Sequence, residues 1–121
     1  MLESHIDVVL YVTGAITAVS LVQCFAPRAS LRAFALEVSD EATLFFARSA
    51  GLAIGLIGAL LVWAGASPPL RTPVVTAALV GKAVFVATLV STRSGFRRRF
   101  IGPILFDATC ILLYAAYLLG L

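Results

Sequence analysis

Three ionisable side chains sit where charge is hard to accommodate: Arg48, Lys82 and Asp107 each fall inside a long apolar run. A charge in hydrocarbon is costly, so such residues face a bundle interior or a wet cavity and pair with each other or with a ligand. Lys82 lies near the middle of its run, about nine residues from either end, or roughly 14 Å deep at about 1.5 Å per helical residue. Its amine can snorkel along its stem or hold an anionic headgroup or carboxylate. Asp107, Cys110, Tyr114 and Tyr117 follow one another at i, i+3, i+7 and i+10, which makes a polar stripe along one helix face. Tyr114 is expected at about the depth of Lys82, with its hydroxyl in reach of the amine or of a ligand. Lys82, Tyr114, Tyr117 and Asp107 therefore form a candidate site for the polar end of a lipid, quinone or sterol. Arg48 enters its run from the same side as Asp107 and to a similar depth. A planar guanidinium–carboxylate ion pair is expected between them, fixing helix register.

Other chemistries find no support. His5 is the only histidine, so two histidines cannot ligate a haem within one chain, and a zinc site has too few ligands. No Gly-x-Ser-x-Gly, Gly-rich phosphate loop or HExxH motif occurs. Cys24 and Cys110 are far apart with no CxxC, and read as small apolar packers. No catalytic residue, metal or cofactor is assigned.

The elements that carry these groups follow from composition. Of 121 residues, 61% are hydrophobic and only 12% charged; a soluble domain of this size carries roughly twice that charge. Four apolar runs use most of the chain and leave no room for a separate soluble domain. The expected fold is all-α, an integral membrane four-helix bundle in a single domain, 1–121. Its spans run from about 6 to 25, 42 to 64, 74 to 92 and 103 to 121, each long enough to cross a hydrocarbon core of about 30 Å. The first run starts acidic, unlike a signal peptide, and is read as a retained span. Pro27 ends it. From Arg28 to Val38, the residues Leu31, Phe34, Ala35 and Val38 recur at i, i+3, i+4 and i+7, which predicts a short amphipathic helix at headgroup level. Ser39 offers a cap for span two, and Thr72-Pro73 reads as the start of span three.

Charge sets the topology. The first and third connectors hold Arg28, Arg32, Arg93, Arg97, Arg98 and Arg99, whereas the other side holds only Arg71. The positive-inside rule then puts the arginine-rich connectors in the cytoplasm and both termini outside a plasma (inner) membrane. Basic residues so placed, Arg28, Arg32, Arg97, Arg98 and Arg99, suit membrane lipids; nucleic acid is not an expected partner.

Helices in lipid associate by close packing at small residues. Span two carries Ala47, Gly51, Gly55 and Ala59 at four-residue steps, with Gly58 beside them. Gly14 and Ala18 mark span one, and Ala77 and Gly81 mark span three. Close backbone approach is expected at Gly14, Gly51, Gly55, Ala59 and Gly81, within the bundle or between copies.

A Pro-terminated first span, an amphipathic connector, and then Phe46-Ala47-Arg48-Ser49-Ala50-Gly51-Leu52-Ala53-Ile54-Gly55 make a layout that resembles the DoxX-like group of small bacterial four-span membrane proteins. The resemblance covers most of the chain in layout and that stretch in motif. It implies a bundle with a small interior site, or an accessory role beside respiratory or lipid enzymes, and supplies no catalytic residue. Two functional expectations follow. The first is a non-enzymatic accessory or assembly subunit that packs against a larger membrane partner or itself. The second is a binder or transporter of a small amphipathic ligand.

Overall fold

The computed structural model describes residues 2–121. A 3-10 turn, Leu2–His5, leads into α1 (Ile6–Ala18) and α2 (Leu21–Phe25), followed by α3 (Pro27–Arg32), α4 (Glu41–Ala66), α5 (Pro68–Val90), α6 (Ser94–Arg99) and α7 (Ile101–Leu118). Four stretches are long and apolar enough to cross a membrane: Leu2–Phe25, Glu41–Ala66, Pro68–Val90 and Ile101–Leu118. By length and composition this is a multi-pass membrane protein with an all-α bundle. Helix α1 packs on α4 and α5 on α7, while α4 and α5 join the two pairs.

Span one is not uniform. Between α1 and α2 the amides of Val19, Ser20, Val22 and Gln23 bond carbonyls three residues back, at 3.0–3.2 Å. This tighter 3-10 winding narrows the helix. It occurs where α4 comes closest. A Cβ on Gly58 would collide with the backbone nitrogen of Ala18, and one on Gly51 would lie 2.8 Å from the Ser20 carbonyl oxygen. Gly14 faces the same seam, with the Gly58 carbonyl oxygen 2.8 Å from where its Cβ would be, and Gly55 is filled by the Leu21 side chain. Gln23 ties the seam together, its Nε2 donating to the Ala47 carbonyl at 2.7 Å.

Ala59 and Gly81 do not pack within the bundle. Both are exposed, and a Cβ on Gly81 would meet nothing within 4 Å. A four-residue step advances about 40° beyond a full turn, so strict i+4 spacing walks off a helix face. The buried line on α4 runs instead Gly51, Gly55, Gly58, Leu61, Gly65, steps of three and four that stay on one side.

Helix ends depart from the sequence reading in three places. The amphipathic connector is helical only over Pro27–Arg32. It ends in a left-handed turn at Ala35 (φ 60°), with the Leu36 amide bonded to the Leu31 carbonyl at 3.0 Å, a Schellman-type stop. Asp40, not Ser39, caps α4, its carboxylate accepting from the Thr43 amide at 2.9 Å and the Thr43 hydroxyl at 2.7 Å. Those two donors favour the ionised form and hold Asp40 below the usual aspartate range. Helix α5 starts at Pro68, with Ser67 extended ahead of it, so Pro73 lies inside the helix. A proline in the first turns removes few helical bonds, which is why the start moves back to the Pro68-Pro69 pair.

Two arginines close helix C-termini across a connector. Arg71 donates from Nε to the Ala64 carbonyl (3.0 Å) and from its terminal nitrogen to that of Gly65 (2.8 Å). Arg97 donates to the Val90 carbonyl at 2.8 Å. Each reaches carbonyls in the last turn of a helix, where the ladder runs out of donors; that of Ala64 also accepts from the Ser67 amide at 3.3 Å. At the same end as Arg97, Phe34 of the first connector stacks on Phe100 of the third, ring centroids 4.5 Å apart, and Phe96 lies 5.0 Å from Phe100. The two arginine-bearing connectors therefore meet at one end of the bundle.

Candidate functional site

Helix α1 turns two threonines inward, Thr13 and Thr17, one turn apart and 7% and 5% exposed. Each hydroxyl donates to the carbonyl four residues back: Thr13 to Val9 and Thr17 to Thr13, both at 2.7 Å. The proton of each hydroxyl is thus committed to its own helix, and the oxygen facing the bundle is an acceptor. Two donors meet them. The Tyr114 hydroxyl donates to Thr13 Oγ1 at 2.6 Å, and Lys82 Nζ donates to Thr17 Oγ1 at 3.0 Å.

Lys82 also pairs with Asp107, Nζ to Oδ1 at 2.8 Å, with the two side chains 7% and 13% exposed. The Phe106 ring lies alongside, its centroid 4.8 Å from the ammonium, within range of a cation–π attraction. Three helices therefore converge on one amine: α1 through Thr17, α5 through Lys82 itself, and α7 through Asp107 and Phe106. Around this network pack Leu10, Leu61, Val75, Ala78 and Cys110.

The stripe on α7 does face inward. Cys110 and Tyr114 have no exposed surface, and Tyr117 packs half-buried at the edge of the same cluster. Tyr114 does not reach Lys82, however, because its hydroxyl is taken by Thr13 one turn further along α1.

The expected Arg48–Asp107 pair is not formed. Asp107 belongs to Lys82, because α7 packs chiefly on α5. Arg48 is exposed and makes no ion pair or hydrogen bond among the described residues. A helical wheel gives an angle about one helix and not the identity of the neighbour. Thr13, Thr17 and Phe106 were missed in the sequence because their types are ordinary anywhere in an apolar span. The i, i+4 spacing of Thr13 and Thr17 was the one available signal.

Among the described residues every buried side-chain nitrogen and oxygen has a partner within the chain, and no three His, Cys, Asp or Glu side chains are grouped to hold a metal. Two grooves lie at the arginine end. One, of about 170 Å3, is lined by Arg28, Arg32, Glu37, Val38 and Ser39. The other, of about 230 Å3, is lined by Val90, Arg97, Arg98, Ile101 and Ile104. Neither is lined by Lys82 or Tyr114. The remaining basic side chains of this end, Arg93 and Arg99, are exposed.

No family model, curated protein or solved structure matches the chain.

Proposed function

We propose that the protein is a non-enzymatic membrane subunit that works through its outer surface, packing against another membrane protein, with its interior polar groups serving to hold the bundle together. The observation that carries this reading is the closed network: Lys82, Asp107, Thr17, Thr13 and Tyr114 use one another and the α1 backbone. A reactive or ligand-binding centre needs a polar group that is free to engage something else.

Two outward features support a partner. Arg48 lies seven residues into α4, about 10 Å along its axis, and a cation at that depth seeks a counter-charge from outside the chain. On α5 the small residues Ala77 and Gly81 are exposed at a four-residue spacing, a surface on which a second helix can approach closely. The arginine asymmetry supports a plasma (inner) membrane placement with the arginine end cytoplasmic and both termini outside.

The test is the size of the native assembly. Membranes of the native host, extracted in mild detergent and resolved by blue-native electrophoresis, should show the protein in a particle larger than its own 12.7 kDa plus detergent. Arg48→Glu should shift most of it to the monomer position. Monomeric migration of the unaltered protein would overturn the proposal.

A further inference from the structure

The two grooves at the arginine end differ in charge, and the difference selects one of them. In the first, Glu37 sits 3.7 Å from Arg32 and offsets one of its two arginines. The second has no acidic side chain in its lining. Arg98 is exposed and makes no ion pair or hydrogen bond among the described residues. Arg97 uses one terminal nitrogen on the Val90 carbonyl, which fixes its guanidinium at the groove and leaves the rest of its donor fork available.

The other walls are aliphatic. Val90 is the last residue of α5 and Ile101 the first of α7, 46% and 52% exposed, and Ile104 forms a buried floor one turn deeper. The groove thus has cations at its rim and hydrocarbon below, placed where two spans reach the membrane surface. The aromatic set of Phe34, Phe96 and Phe100 braces α6, the short helix that carries both arginines. A guanidinium fork matches phosphate oxygens geometrically.

We infer that this groove binds one anionic glycerophospholipid. Its phosphate lies on Arg98 and the free side of Arg97, and the first carbons of an acyl chain lie against Val90, Ile101 and Ile104. At about 230 Å3 the groove is below the usual size for enclosing a whole ligand, which is roughly 300 Å3 or more. It therefore holds the headgroup and upper chain and leaves the rest in the bilayer. This inference needs the spans to cross a bilayer but does not depend on the protein partner proposed above.

Native mass spectrometry of the purified full chain tests it, with equal amounts of dioleoylphosphatidylglycerol and dioleoylphosphatidylcholine added in mild detergent. The unaltered protein should retain the glycerol lipid preferentially. Arg98→Gln should weaken that preference about fivefold, the effect of one arginine at an anionic surface, while Arg32→Gln in the other groove leaves it unchanged. Ile101→Trp, which fills the aliphatic half and keeps both charges, should also reduce retention. Inorganic phosphate at millimolar concentration should not displace the lipid. Equal retention of the two lipids, equal losses in Arg98→Gln and Arg32→Gln, unaltered retention in Ile101→Trp, or displacement by free phosphate would each overturn the inference.

Discussion

A threonine in a helix can give its proton to its own backbone four residues back, and what it then offers a neighbour is an acceptor. Thr13 and Thr17 do this in series, so the residues that meet α1 must be donors. Tyr114 and Lys82 are such donors, and Asp107 compensates the charge that Lys82 brings. Removing one member of a buried ion pair leaves the other uncompensated, a loss of about 3–5 kcal/mol, whereas replacing both by apolar groups is often close to neutral. Lys82→Met alone should therefore lower stability by about 3–5 kcal/mol, and Lys82→Met with Asp107→Leu should recover most of it. Reversible unfolding in mixed micelles measures both; losses that simply add would count against the pair. The inward setting of Asp107 and Tyr114 was legible, because charge and hydroxyl groups stand out against an apolar run, whereas for Lys82 snorkelling and burial both stayed open. The partners of these groups were not legible. Threonine carries no such contrast, and Arg48 was matched to Asp107 by side and depth, whereas the packing of α7 on α5 gives Asp107 to Lys82.

At the scale of helices, glycine position rather than glycine number decides packing. Gly58 and Gly81 both sit in apolar spans, yet one meets the Ala18 backbone and the other meets nothing. Gly58→Ala should cost about 1–3 kcal/mol, as overpacking does. Gly81→Ala should be neutral or stabilising by up to about 1 kcal/mol, since alanine loses less backbone freedom on forming a helix. Thermal unfolding of the two variants in the same detergent separates them; equal effects would contradict the seam. The small-residue run on α4 was visible in the sequence at Gly51, Gly55 and Gly58, but the four-residue template also carried it on to Ala59, which is exposed. The arginine caps were out of reach for another reason. Arg71 and Arg97 act on carbonyls six or seven residues back, across a connector, a distance that no local helix rule covers. The narrowing between α1 and α2 has no breaker residue and is set by the close approach of α4.

For the molecule as a whole, four apolar stretches were enough to read an all-α membrane bundle from the sequence. The meeting of the first and third connectors through Phe34 and Phe100 is what their shared side requires. The interior polar groups were read as a candidate ligand site, the alternative to an accessory role, whereas the bundle closes around them and leaves cations without a partner among the described residues, Arg48 and Arg98 among them, exposed. Lys82 makes that closure measurable, because it is the only lysine in the chain. A membrane-permeant amine-reactive ester, applied to the folded protein in lipid and read by mass spectrometry of the fragments, should leave Lys82 untouched and modify it only once the protein is unfolded. Modification of Lys82 in the folded state, at a rate near that of the unfolded chain, would contradict a closed interior and with it the assignment of function to the outer surface.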